Sequence, residues 1–424
     1  MAMRRAVTRT LPRAAAARSF SSMAPAQQPT LVSTLPNQLR IASESTGGET
    51  ATVGMWIDTG SRYETDANNG VAHFLEHLAF KGTSKRSQLQ LETEIENMGG
   101  HLNAYTSREQ TVYYAKVLKK DVPQATELLS DILTNSTFSQ AAVERERDVI
   151  LREMEEVESI TEEVIFDMLH ECAYVGTPLA RTILGPVANI KSISAEDIKS
   201  YIGTHYTAPR MVFAASGAVE HDQLVDLAAE HFGGVQSEPP PGAAFEDAPS
   251  LFTGADVRDF NDDMETAHFA LAFEGLKWTD PDIFSLMLCQ SLLGTYDAKK
   301  SGGELTSAKL ASDLAKLDAG VKLMQPFCTC YTDTGLFGVY FEMAMAKKEH
   351  VDDTIGTIQE ELVALTTGTT DDDLATAKAN LKYNLMMQMD GTSPNAEEIG
   401  RQMLVYGRRM SLAETFARVD AIES

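Results

Sequence analysis

Two stretches of this chain, far apart in sequence, carry the same pattern. TVGMWIDTGSRYE, residues 52–64, alternates apolar and polar residues, turns at a glycine, and leads to the apolar helix VAHFLEHLAFKGT. AHFALAFEGLKWTD and then DIFSLMLCQSLLGT, residues 267–280 and 282–295, repeat that order and end in the same Gly-Thr. Alternation marks a half-buried strand, and apolar residues at three- and four-residue spacing mark a helix with one buried face. An internal repeat restricts the fold to two related halves. Between the copies lies SEPPPGAAFEDAPSLFTG, residues 237–254, whose proline, glycine and small residues read as a linker. A length of 424 residues also exceeds what one core ordinarily holds.

Within the first half the pattern predicts short paired strands over 30–44, turning at Pro36-Asn37, and a half-buried strand over 50–64 that turns at Gly60. Helices are expected over 71–80 and over 88–98, where Gly99-Gly100 supplies the stop. A strand, turn and strand follow over 101–118, then helices at 123–134 and, as one long element, 140–174. Residues 178–186 read as irregular, 194–206 and 221–232 as helices, and 211–219 as a strand. Strands and helices mix without strict alternation, so the expected class is α+β and not a doubly wound sheet. The expected division is a leader at 1–20, a first domain at 21–236, the linker at 237–254 and a second domain at 255–424.

The two copies differ in chemistry. The first-half helix carries His73, Glu76 and His77; the second has no histidine or glutamate at the matching positions. Residues three and four apart share a helix face, so these three side chains project together. Two imidazoles so placed can grip one zinc ion, which wants a third protein ligand and an open position. His-x-x-Glu-His is the inverse of the commoner zinc-peptidase order and is the inverzincin signature. Glu76 is placed to accept a proton from a water molecule. Without a metal, a largely apolar helix holding two imidazoles and a carboxylate would be costly to bury. The long acidic helix ERERDVILREMEEVESITEEVIFD offers many candidates for the third ligand, and spacing alone does not choose among them. Glu146 and Glu153 are seven apart, hence on one face, so one could bind metal while the other orients a histidine.

Charge and cysteine usage narrow the setting. A formal charge of −25 disfavours nucleic acid as a partner and favours a cationic one. The four cysteines suit a reducing compartment; Cys328 and Cys330 alternate along one strand face, and a lone pair at that spacing is a poor zinc signature. No apolar run approaches the length of a membrane span. The first 22 residues stand apart: Arg4, Arg5, Arg9, Arg13 and Arg18 with several hydroxyl residues, and no acid before Glu44. Such a start on an acidic chain reads as a mitochondrial transit peptide, cleaved near Ser19–Phe20.

HFLEHLAFKGT, NAYTSREQT, RDVILREMEEVE and RTILGP together resemble the β subunits of mitochondrial processing peptidases, over nearly the whole chain after the leader. The resemblance implies a zinc endopeptidase that removes basic presequences in the mitochondrial matrix, working with an α subunit. It implies zinc on His73, His77 and Glu153, Glu146 as the supporting acid, and Glu76 as general base. It implies that Asn103, Ala104 and Tyr105 form an edge strand pairing with an extended substrate. Phe80 then lines the pocket just after the scissile bond, while Glu163 and Asp167 receive the arginine two residues before it. The stretch LLGTYDAKKSGGELTSAKLA has only Gly302-Gly303 where α subunits carry a long glycine-rich loop, which sorts the chain with the β type. Relatives continue beyond RVDAIES, so the resemblance implies missing final strands in the second domain. The rival role is a structural core subunit of ubiquinol–cytochrome c reductase (the cytochrome bc1 complex), which shares the fold. A purely structural copy has no reason to keep His73, Glu76, His77 and Glu153 together.

Overall fold

A computed structural model describes residues 29–243, 247–261, 263–300, 308–317 and 319–423. The leader and the Gly302-Gly303 pair lie outside the described residues. In chain order the first half forms β1 (Leu31–Thr34), β2 (Arg40–Ser45), β3 (Thr50–Ile57), α1 (Val71–Ala79), α2 (Gln88–Asn97), β4 (His101–Thr106) and β5 (Thr111–Leu118). It continues with α3 (Val122–Asn135), α4 (Gln140–Glu158), α5 (Thr161–Ala173), α6 (Val187–Ser192), α7 (Ala195–His205), β6 (Met211–Gly217) and α8 (His221–Phe232). The second half forms β7 (Thr266–Glu274), α9 (Ile283–Leu293), β8 (Tyr296–Asp297), α10 (Lys309–Lys316), β9 (Val321–Cys330) and β10 (Gly335–Ala344). Four helices follow: α11 (Val351–Leu365), α12 (Asp371–Gln388), α13 (Thr392–Val405) and α14 (Leu412–Asp420). No described helix is long and apolar enough to cross a membrane.

The first sheet runs β1-β2-β6-β3-β5-β4 and the second β7-β10-β9-β8. All pairings are antiparallel except β2 with β6, which fits the expected α+β class. The repeat is visible in the topology. In each half a strand pairs with the second strand of a later hairpin, β3 with β5 and β7 with β10. One face of the first sheet packs on its own helices: Met55, Tyr113 and Phe213 share a core with Phe74 of α1 and Leu129 of α3.

The opposite faces are covered by exchange. α13, from the second half, lies on the first sheet, where Ile399 and Met403 join Trp56, Val112, Val212 and Ala214 in a buried cluster. α5, from the first half, lies on the second sheet, with Phe166 against Phe327 and Tyr340 at ring distances of 5.1 and 5.8 Å. Charge then locks the halves at one edge. Buried Arg62 bridges Glu109 at 2.8 Å and grips both carboxylate oxygens of Asp333, in the β9–β10 turn, at 2.6 Å. Ser250, in the connecting segment, also donates to Asp333 at 2.8 Å.

One expectation needs correction. Residues 140–174 are two helices, not one, and Glu163 and Asp167 stand on the second. α4 stops at Ser159, whose hydroxyl turns back to the Glu156 carbonyl, and Ile160 is extended. Hydroxyl and β-branched residues at Ser159-Ile160-Thr161 weaken the helix, and Glu162 and Glu163 favour a new N-terminus. The short helix α6 was not anticipated from sequence either.

The exchange makes a packing prediction. A Cβ added at Gly400 of α13 would lie 2.2 Å from the Trp56 ring. Alanine ordinarily favours a helix interior by about 1 kcal/mol over glycine. Here overpacking wins, and Gly400→Ala should lower the unfolding free energy by about 1–3 kcal/mol in a denaturant titration. An unchanged or raised stability would mean that α13 is not seated on Trp56.

Candidate metal centre and substrate cleft

The helix that carries the histidine motif is anchored at its start. Gly70 has φ 102°, a left-handed conformation that favours glycine, and a Cβ there would meet the Leu184 carbonyl at 2.6 Å. Buried Glu64 accepts from Gly70 N–H at 2.8 Å, Ala72 N–H at 2.7 Å and Asn69 Nδ2 at 2.7 Å. The two backbone donors are orphans of the helix N-terminus, and a carboxylate also suits its dipole. Burial pushes the Glu64 carboxyl up to about 7, against the pull of those bonds. Asn69 donates onward to the Thr182 carbonyl at 2.8 Å, so the RTILGP segment is the seat of the helix start.

His73 is buried, and His77 and Glu76 are half-buried, one turn further along α1. Glu153 comes from α4, which packs across α1. Its Oε2 lies 2.9 Å from His77 Nε2 and its Oε1 lies 3.7 Å from His73 Nε2. One ligand atom from each of the three residues falls within 4.8 Å of the others, and this is the metal-capable group found among the described residues. Four-coordinate zinc at about 2.0–2.1 Å from its ligands would place them roughly 3.4 Å apart, a small adjustment that widens the closest pair and draws in the others. Glu153 Oε2 and His73 Nδ1 are buried without an aligned hydrogen-bond partner. Two imidazole nitrogens crowd one carboxylate there, an arrangement that suits a cation between them. The donor set of two imidazoles and a carboxylate therefore fits a divalent metal.

The charges around the centre are coupled. His73 and His77 hold the Glu153 carboxyl far below the usual carboxylate range. Burial pulls the His77 imidazole down, but Glu153, with Glu76 and Glu146, outweighs it and leaves the ring above its ordinary value. Glu146 is buried, with Oε2 3.6 Å from His77 Nδ1 and Oε1 3.0 Å from Lys81 Nζ. At 3.6 Å the contact to His77 is electrostatic and not a hydrogen bond. Lys81 supplies the counter-charge that a buried carboxylate needs.

Beside the metal group opens a cleft of about 520 Å³. Glu76, His77 and Phe80 line one wall, Leu91 and Ile95 of α2 another, and Asn103 and Ala104 of β4 the third. Phe80 meets Tyr113 edge to face at 6.4 Å. β4 is an outer strand, paired on one side by β5, and its other edge has no strand beside it among the described residues. The Asn103 side chain covers that edge in part, its Oδ1 accepting from Ala104 N–H at 2.9 Å. Tyr105 points to the sheet face opposite Ala104, where its hydroxyl donates to Glu397 at 2.6 Å.

The structure parts the two acids expected to receive an arginine. Glu163 is exposed. Asp167 is paired within the chain, at 2.7 Å from Arg108 Nη2. Arg108 sits in the β4–β5 turn and has a side chain only 10% exposed. A pair of carboxylates facing one arginine is the expectation; among the described residues Glu163 has no ion-pair partner, and Asp167 is engaged. The i, i+4 spacing is real, but spacing does not reveal a partner from another element.

Four residues near the site were missed from sequence. Glu64 caps a helix that begins seven residues later, outside the usual capping-box spacing. Arg108, Lys81 and Glu397 act through tertiary contacts. Lys81 alone left a signal, since it follows His77 by four and shares its face.

Comparison with known proteins gives the relationship. Residues 40–187 match the family described as Insulinase (Peptidase family M16), and residues 192–381 match the Peptidase M16 inactive domain. The chain is 52% identical over 397 residues to the probable mitochondrial-processing peptidase subunit beta of Arabidopsis thaliana, covering 93% of this chain and 74% of that one. It is 52% identical to the mitochondrial-processing peptidase subunit beta of Bos taurus (93% and 80% covered) and 44% identical to that of Caenorhabditis elegans (93% and 84%). Among solved structures, a chain of Complex III2 from Candida albicans superposes with a TM-score of 0.81 at 24% identity, covering 93% of this chain and 90% of that one, which speaks for a shared fold. The chain belongs to the M16 peptidase family, on the branch of the mitochondrial-processing peptidase β subunits.

Proposed function

We propose that this chain is the catalytic β subunit of a zinc endopeptidase that removes basic N-terminal presequences in the mitochondrial matrix, together with an α subunit. The carrying observation is the convergence of His73, His77 and Glu153 beside Glu76, at the mouth of a cleft bounded by an open strand edge. His73, His77 and Glu153 would hold zinc, which when bound lowers the pKa of a water and polarises a peptide carbonyl. Glu76 accepts the water's proton on its carboxylate and returns it to the leaving amine. The β4 edge at Asn103 and Ala104 takes an extended substrate backbone as an added strand. Phe80 receives the side chain that follows the cut. Glu163 presents a free carboxylate to the arginine before it. A formal charge of −25 draws cationic peptides toward the whole molecule. The complete set of ligands and base supports a peptidase over a purely structural core subunit; the Complex III2 likeness concerns the fold.

Metal binding and proton transfer are separable in this reading. Glu76→Gln should keep its zinc through dialysis while hydrolysis falls by about 100-fold or more. Glu153→Gln should lose zinc and activity together. Metal analysis of both purified variants decides it: release of zinc by Glu76→Gln, or full retention by Glu153→Gln, reverses the assignment.

Arginine recognition should rest on Glu163. Glu163→Gln is expected to lower kcat/KM about tenfold for peptides with arginine two residues before the cut, and to spare matched peptides without it. The assays need one salt concentration, because exposed charges are screened. Asp167→Asn instead strips Arg108 of its counter-charge and should lower the unfolding midpoint. Equal losses from Glu163→Gln on both peptides would count against this role.

A further inference from the structure

The half without the metal motif touches the strand that the cleft exposes. Along β4, Leu102 and Ala104 face the main core and Tyr105 faces the cluster beneath α13. Glu397, on α13, spans the sheet there. Its Oε1 accepts from the Tyr105 hydroxyl on β4 at 2.6 Å, and its Oε2 accepts from Trp56 Nε1 on β3 at 2.9 Å. β5 lies between those two strands. One carboxylate thus straps the outermost strand to the middle of the sheet. Burial, and then the Glu397 charge, hold the Tyr105 phenol well above its ordinary value, so it stays a donor.

A second strap lies at the end of the same hairpin. Glu109, in the β4–β5 turn, accepts from Thr332 N–H of the second half at 3.0 Å, while Arg62 ties Glu109 to Asp333. The hairpin is therefore held from the second half near the C-terminal end of β4 and at the turn that follows it. An edge strand without such ties twists and frays freely, and a fraying strand must lose that freedom before a peptide can pair with it.

We propose that Glu397 is a positioning residue for substrate: the half that lacks the metal motif holds β4 in the register and twist that an extended peptide needs. This rests on the reading that β4 receives the substrate backbone. The charge-assisted bond from Tyr105 is of the strong class, and its loss should appear in peptide affinity and not in the metal centre.

The test uses the full chain assembled with its α partner. The probes are a cleavable presequence peptide and versions of it N-methylated at single backbone amides around the cut, which remove strand hydrogen bonds one at a time. In the wild type, N-methylation at the pairing amides should raise KM. Tyr105→Phe and Glu397→Ala should each raise KM about tenfold for the parent peptide, with the change in KM and not kcat. The double variant should be no worse than Glu397→Ala alone, because Tyr105→Phe removes a bond that Glu397→Ala has already lost. Glu397→Gln, which keeps an acceptor, should restore most of the affinity, and zinc content should stay at the wild-type level in all of them. Wild-type KM in the single variants, additive effects, or loss of zinc would overturn the proposal. If the wild type cleaves every N-methylated peptide as well as the parent, the strand-addition reading fails beneath it.

Discussion

A sheet with two apolar faces has to be covered twice, and neither half of this chain covers both of its own. α13 closes the outer face of the first sheet over Trp56, and α5 closes a face of the second over Phe327 and Tyr340. Each fully buried large side chain contributes about 1.5–3 kcal/mol relative to exposure, so an uncovered sheet would forfeit several of these at once. The exchanged helices make the two halves one cooperative body. The Arg62–Glu109–Asp333 group then fixes their register, because a slip that moved Asp333 away would leave buried Arg62 short of a counter-charge.

This arrangement explains why one half keeps the chemistry and the other does not. The first half brings the metal-capable residues on α1 and α4 and the open edge on β4. The second half has the same strand and helix order, yet its helix α9 is apolar where α1 is armed. Freed from ligand duty, the second half serves as a frame: it supplies α13, Glu397, Thr332 and Asp333 to the first. The arrangement is asymmetric in function although the topology repeats.

Local periodicity made much of this legible in sequence, and tertiary contact accounts for the rest. Alternation in TVGMWIDTG and the helix spacing of His73, Glu76 and His77 carry their own structural meaning, and both elements lie where the pattern puts them. The repeat was readable for the same reason. The break at Ser159–Ile160 was not, because weak helix formers set against a strongly acidic helical run give no clear stop. From the residues alone the third metal ligand stayed open among the acids of one helix; family likeness pointed to Glu153, and the fold brings Glu153 against both histidines. The pairing of Asp167 with Arg108 joins residues distant in sequence and leaves no periodic trace. The same is true of Glu397 and Tyr105. Helix exchange itself is invisible in sequence, since each exchanged helix looks like an ordinary amphipathic segment.

The exchange also has a consequence in time. A chain delivered from its N-terminus completes the first sheet when Gly217 arrives, but the helix that seals it begins only at Thr392. Until then Trp56, Val112 and Val212 face water with nothing of their own to lie against. A partly delivered chain thus shows apolar surface of the kind through which incomplete chains associate, and it keeps that surface until the second half has been made. The chemistry at His73 and His77 is encoded early, but the platform around it is finished late.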